Sequence, residues 1–395
     1  MEVQINLLPK KENGPKIYLL PINEKNTSYY FNKVTKIPTN CLFTLKFISA
    51  FIIAFVVHYC HFPVNHGFPF ANIFKWSYQS GQKVVELFFM VSGFGMFLGY
   101  NEKICRHEIS FKVYIMKRIK KLYPLFFFTL ILVTILEILH IHLTGKTFVY
   151  QNFDCWHFFM NLFLCQDGIF GTEKSFNAPS WCISIYFILY IIHFAVMYFS
   201  KEKINALYIY IILKFFGLTI LSMKFNYPFL LNQLFGRGLS CFSIGVILSN
   251  IYLNSHKLNK NLIGYLGLII LVLYYNIFFR YKEILGNNSF IFMMVVSPFI
   301  IFSVLYVSWL NKLLSMKPML FLGSLSIKIY LLHFNIQCII RNMDLYFNFK
   351  LDYSSKKTWL LYCGSTIIVS SIYHNFVEKG INFLLSLLEM AFIKS

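Results

Sequence analysis

Ten runs of mostly apolar residues, each of the roughly 18–23 residues that a helix needs to cross a bilayer, punctuate this chain. They lie near 42–60, 83–100, 122–143, 181–199, 205–223, 229–251, 262–280, 289–309, 319–340 and 358–376. In hydrocarbon, every backbone N–H and C=O must be satisfied within the chain, so only helices and closed barrels span, and runs this continuously apolar select helices. With 57% hydrophobic residues, 46 Phe and 26 Tyr, a water-soluble globule of ordinary composition is excluded. The expected fold is therefore all-α: a polytopic membrane helical bundle of about ten transmembrane helices. A shorter run, 153–165, is too brief to cross and reads as an interfacial or re-entrant segment.

The formal charge of +20 invites a nucleic-acid reading, but its placement gives another. Loops 101–121, 200–204, 252–261 and 310–318 carry thirteen Lys and Arg in 45 residues, whereas the alternate loops carry ten in 90. Basic residues concentrate in cytoplasmic loops, so the dense set is assigned inside, no nucleic-acid partner is expected, and an even number of spans puts both termini in the cytoplasm. The setting is a plasma membrane, the inner one in a cell with two. Residues 1–41 read as a polar, basic cytoplasmic tail suited to contact with a membrane surface, 42–380 as the transmembrane domain, and 381–395 as a short amphipathic segment. The first apolar run begins only near residue 42 and is long enough to stay as an anchor, so no cleaved leader is expected. The nine Cys show no CxxC or Cys/His metal spacing, so they read as packing residues and no metal is expected.

Polar side chains within spans are costly, so the few that occur are informative. At about 1.5 Å per helical residue, His58 lies about 24 Å along the first span and Glu86 only about 5 Å into the second, which runs the opposite way. Trp181 and Ser184 open the fourth span, Arg237 lies about 12 Å into the sixth, and His333 about 21 Å along the ninth. Five helices thus bring polar groups to the outer layer, where a shared polar cavity is expected. Taken singly, each is also compatible with interfacial water or an aromatic belt. Ser326, Tyr330 and His333 form one stripe, as do Glu86 and Gly93. Gly93 admits close approach either by another helix or by a slender ligand. Lys214 and Lys328 either snorkel or line the cavity. On the inner side, Lys103, Arg106, Lys112, Lys117, Arg118, Lys120 and Lys121 serve as a topology signal or lipid contact, or else hold the phosphates of an anionic donor, with Arg118 the better bidentate ligand.

These residues also form an ordered set of motifs. Lys46 precedes His58, and Glu86-Leu-Phe-Phe-Met-Val-Ser92-Gly93-Phe94 opens the second span. Arg118-Ile-Lys-Lys121-Leu-Tyr123-Pro124 opens the third, Asn177-Ala-Pro-Ser-Trp181-Cys-Ile-Ser184 the fourth, and Arg237 is followed by Phe242 and Gly245. The ninth carries Gly323-Ser-Leu-Ser326-Ile-Lys-Ile-Tyr330-Leu-Leu-His333. From about residue 42 to 380 the chain resembles the acyltransferase-3 family, bacterial integral-membrane O-acyltransferases, in its stand-alone form without a fused soluble domain. Two positions depart from the pattern. Eleven residues rather than ten separate Lys46 from His58, which turns Lys46 about 100° away unless a π-bulge absorbs the extra residue. Tyr186 also stands where many relatives have an acidic residue.

The resemblance implies transfer of an acyl group, most often acetyl, from cytosolic acyl-CoA to a hydroxyl of an extracytoplasmic or lipid-linked glycan, such as a polysaccharide of the cell envelope. On that reading Arg118, Lys121, Ser92 and Gly93 receive acetyl-CoA, and Trp181 and Asn177 contact the acceptor. His58 is the general base, with His333 the alternative and His61 a fallback. Glu86 orients the imidazole, and Arg237, Tyr330 or Ser184 donates to the oxyanion. Loops 61–82 and 144–180 select the acceptor. The competing class is a transporter or flippase for anionic glycolipids, against which stands the lack of inverted repeats and paired broken helices. A non-catalytic scaffold is the third, and it would tolerate loss of His58 and Glu86.

Overall fold

The computed structural model describes residues 39–166, 169, 173–200, 203–223, 229–281 and 289–381. The tail expected over 1–41 and the segment expected over 381–395 fall outside these except for 39–41 and 381. Among the described residues the regular structure is helical, with no strand beyond an isolated bridge between Asn152 and Ser175.

Among the described residues, nine helices are long and apolar enough to cross a membrane. They are α1 (Cys41–His61), α2 (Ala71–Cys105), α3 (Phe111–Thr144), α5 (Ala178–Phe199), α6 (Ile204–Ser222), α7 (Gln233–Leu253), α8 (Lys260–Arg280), α11 (Lys317–Phe347) and α12 (Lys356–Ile381). The short α4 (Cys155–Leu162) occupies the run that was too brief to span. The stretch 289–309, which hydropathy presents as one crossing, is broken: α9 (Phe292–Tyr306) and α10 (Ser308–Leu314) meet at 87°. Val307 takes an extended conformation at the break. Asn311 from α10 donates back to the Val304 and Leu305 carbonyls at 3.1 and 3.4 Å, satisfying groups that the bend exposes.

Two further boundaries differ from the apolar runs. Helix α2 begins at Ala71, through a 3₁₀ turn at Gly81–Lys83, so part of the expected loop 61–82 is helical. Helix α3 begins at Phe111, where Ser110 accepts from the Val113 amide. Arg118 and Lys121 therefore sit on a rigid helix rather than in a loop.

Helices α2 and α7 pack backbone to backbone. A Cβ on Gly93 would meet the Phe242 carbonyl, and one on Gly245 would meet the Met90 carbonyl, so two glycines let the helices cross in reciprocal contact. Of the two readings open for Gly93, the fold uses the first.

The end of α1 is the irregular part that positions the site. After a regular α-helical stretch over Cys41–Phe51 the helix widens into a π segment, Ile52–Val57, then tightens to 3₁₀ over His58–His61. Side chains of α11 and α12 catch the displaced carbonyls. Tyr362 donates to Ala54 O at 2.9 Å, Trp359 Nε1 to Phe55 O at 2.8 Å, and Gln337 Nε2 to His58 O at 2.9 Å. Each such bond contributes about 1 kcal/mol net, and together they fix the turn that carries His58. The π segment accommodates the extra residue between Lys46 and His58.

Candidate active site

At the end of this turn, His58 Nδ1 lies 2.7 Å from His333 Nε2, with the rings stacked at 4.9 Å and 16°. The other nitrogen of His333, Nδ1, lies 2.8 Å from the Tyr330 carbonyl, one turn back on α11. A carbonyl only accepts, so Nδ1 of His333 carries the proton and its Nε2 is a lone pair. That lone pair accepts from Nδ1–H of His58, which leaves His58 Nε2 unprotonated and basic in the neutral pair. His333 is fully buried, whereas His58 is half-buried. The more accessible member, His58, is thus placed to act as a base, with the buried His333 holding its ring. Beside them His61 stacks on His58 at 5.4 Å, and Tyr150 Oη lies 3.3 Å from His61 Nε2.

Glu86 is fully buried on α2, and its carboxylate lies 3.7 Å from Arg237 Nε of α7. This spacing makes an ion pair rather than a hydrogen bond. The partner that orients His58 is thus a second imidazole, and the carboxylate holds the guanidinium instead. Tyr330 donates its hydroxyl to the Pro179 carbonyl, and Asn177 Nδ2 donates to Leu331 O at 3.0 Å. Both bonds lash the Asn177–Trp181 turn to α11, and Tyr330 spends its proton there. Several buried polar atoms around this turn carry no protein hydrogen bond: Ser184 Oγ, Asn177 Oδ1 and Gln166 Oε1. Orphaned buried polar atoms are where a ligand or water finds donors and acceptors. Trp181 packs by its ring against Phe89 at 5.9 Å.

Toward the opposite end of α1 lies a cavity of about 380 Å³. Lys46, Arg118, Lys121 and Lys328 give it a basic mouth, and Ser92, Gly95, Tyr186, Tyr190 and Ser326 line its walls. Ser92 belongs to this lining; Gly93 faces α7. Arg118 is held in an aromatic box, 4.5 Å from the Tyr100 ring centroid and 5.9 Å from those of Tyr114 and Tyr190. It also donates to the Tyr100 hydroxyl. A guanidinium fixed flat on rings keeps its edge for planar, bidentate anions. Phe88 lines the cavity and packs on Tyr330 at 5.8 Å, and Tyr330 lies 6.1 Å from His333. Two rings therefore separate the cavity from the imidazole pair.

Sequence reasoning missed Gln337, Tyr100 and Tyr190. Gln337 stands four residues after His333, a spacing that marks it as a neighbour on the same face. The tyrosines gave no signal, being two among 26. Among the described residues no group of three or more His, Cys, Asp or Glu is arranged to hold a metal ion.

A multi-pass helical bundle with an imidazole base at one end of its core and a basic cavity at the other is a membrane protein organised for group transfer. The chain belongs to the acyltransferase-3 family, whose model, an acyltransferase domain, matches residues 41–374, and it is accordingly a membrane acyltransferase. No curated protein and no solved structure matches it.

Proposed function

We propose that this chain is an O-acyltransferase that moves an acetyl group from cytosolic acetyl-CoA to a hydroxyl of a lipid-linked or extracytoplasmic glycan of the cell envelope. The observation that carries the reading is the His58–His333 hydrogen bond, which leaves a lone pair on the exposed imidazole. The plasma membrane holds the bundle with the His58 end outward and the Arg118 end in the cytosol.

Arg118 and Lys121 receive the donor's phosphates, and its thin pantetheine arm runs along the Ser92 wall and past Phe88, so that only the thioester reaches His58. His58 Nε2 takes the proton of the acceptor hydroxyl as its oxygen bonds to the thioester carbon. The imidazolium that forms is stabilised by the His333 lone pair. The carbonyl oxygen becomes an oxyanion, to which Ser184 and Arg237 donate. The C–S bond then breaks, and the proton on His58 Nε2 passes to the departing thiolate, which restores the neutral pair and yields ester and free thiol. Trp181 and Asn177 contact the acceptor. Glu86 keeps Arg237 in place.

The test supplies acetyl-CoA labelled in the acetyl group to membranes from wild-type and deletion cells and weighs the surface glycans. The expected result is label in the glycan and an acetyl increment that the deletion lacks. Unchanged glycan masses, with no label transferred, would reject the reading in favour of a different donor or acceptor.

A further inference from the structure

Where α11 and α12 meet, three side chains form a relay that the transfer reaction above does not use. Ser324 Oγ lies 3.3 Å from His374 Nε2, and His374 Nδ1 lies 2.6 Å from Glu378 Oε2. Ser324 also lines the cavity that holds Lys46, Arg118 and Ser92, so this serine borders the space given to the donor. A carboxylate accepts, so His374 Nδ1 carries a proton, and in the neutral ring Nε2 is a lone pair facing Ser324. The carboxylate is itself fixed: Lys328 Nζ lies 2.9 Å from Glu378 Oε2 and donates at 3.1 Å to the Ser324 carbonyl. One ammonium group thus holds the first and last members of the relay together.

His374 sits in a π segment of α12, Tyr373–Val377, and widened turns of this kind are frequent at functional sites. The serine hydroxyl has a second acceptor in the Phe321 carbonyl at 2.7 Å, and rotation about its C–O bond carries the proton from one acceptor to the other. A hydroxyl beside an imidazole lone pair, with the imidazole oriented by a carboxylate, is the arrangement that activates an alcohol as a nucleophile. We propose that Ser324, His374 and Glu378 form a second acyl-accepting centre, at which the donor thioester is hydrolysed without a glycan. The choice of a thioester rests on the donor reading above; the choice of nucleophile does not.

Ser324 Oγ bonds to the thioester carbon while His374 Nε2 takes the hydroxyl proton, and Glu378 stabilises the imidazolium. Lys46, which lines the same cavity, supplies positive charge toward the oxyanion. The C–S bond breaks, and the thiolate leaves with the proton from His374. Water then bonds through its oxygen to the acyl carbon and gives a proton to His374, and the Ser324 oxygen departs with that proton. Thioester and water become carboxylic acid and thiol, with the serine restored.

The test gives the full chain in phosphatidylcholine nanodiscs two substrates, with no glycan present: acetyl-CoA labelled in the acetyl group, and p-nitrophenyl acetate, an activated ester without a nucleotide. Both should release acetate, and after an acid quench the peptide holding Ser324 should carry an acetyl increment. Ser324→Ala should abolish the increment, and His374→Gln should lower kcat for release about 10²-fold with KM little changed. Glu378→Gln keeps an acceptor for Nδ1–H and should retain more activity than Glu378→Ala at matched unfolding midpoints. No release from either ester, release that persists in Ser324→Ala, or an increment on another residue instead would overturn the centre. Equal rates in the two Glu378 variants would overturn the orienting role of the carboxylate. Release from p-nitrophenyl acetate but not from acetyl-CoA would uphold the serine centre and overturn the donor reading instead.

Discussion

At the scale of single residues, the proposed chemistry turns on which nitrogen of His58 is free. A lone histidine at a span end has two tautomers of similar energy, and only one offers Nε2 to a substrate. The Tyr330 carbonyl removes the choice through His333, a backbone group thereby setting the protonation state of a side chain two rings away. Replacing His333 with Gln keeps an amide that can accept from His58, whereas Ala keeps nothing. We expect His333→Ala to lower the acyl-transfer kcat by about 10²-fold and His333→Gln to recover a good part of it. In both the wild type and the Gln variant, the rate should fall as the pH is lowered and His58 Nε2 gains a proton. Rates measured across pH with purified protein check this, and equal rates in the Ala and Gln variants would contradict it. His58 and His333 were both legible in the sequence, being rare imidazoles at matching depth. Their mutual bond was not, because a shared depth does not set the rotation of two helices about their axes.

At the scale of elements, apolar runs located the helices well and their irregularities poorly. The break at Val307 escaped hydropathy because a window average registers apolarity and is blind to direction; the caps supplied by Asn311 exist only once the chain has turned. The π segment in α1 left a trace, since one residue too many separated Lys46 from His58, and in the fold Lys46 lines the same cavity as Arg118. Gly93 was ambiguous for a physical reason: a missing Cβ suits a ligand and a neighbouring helix alike. Its contact with Phe242 gives a direct expectation. Gly93→Ala and Gly245→Ala each place a methyl on a facing carbonyl, so each should destabilise the bundle by about 1–3 kcal/mol. Gly95→Ala, where nothing lies within 4 Å, should be close to neutral. Thermal unfolding in detergent separates these, and an unaltered midpoint for Gly93→Ala would contradict the packing.

At the scale of the molecule, the proposed function gives the two ends of the bundle different tasks, and it takes from the distribution of basic loops that they lie on opposite faces of the membrane. Cys60, in the last turn of α1, and Cys155, at the start of α4, are exposed free thiols. A membrane-impermeant maleimide should label both in intact cells, and blocking either should be independent of cell lysis. Labelling only after lysis would invert the orientation. The family assignment and the helical bundle were readable from ordered motifs, whereas the anion held by Lys328 was not, because Glu378 lies 50 residues further along the chain. The most direct measurement is transfer of labelled acetyl from acetyl-CoA to the native glycan by His58→Ala, in nanodiscs, at matched abundance and unfolding midpoint. The account predicts a loss of at least about 10²-fold with coenzyme A binding retained. Transfer at the wild-type rate would show that the proton of the acceptor goes elsewhere.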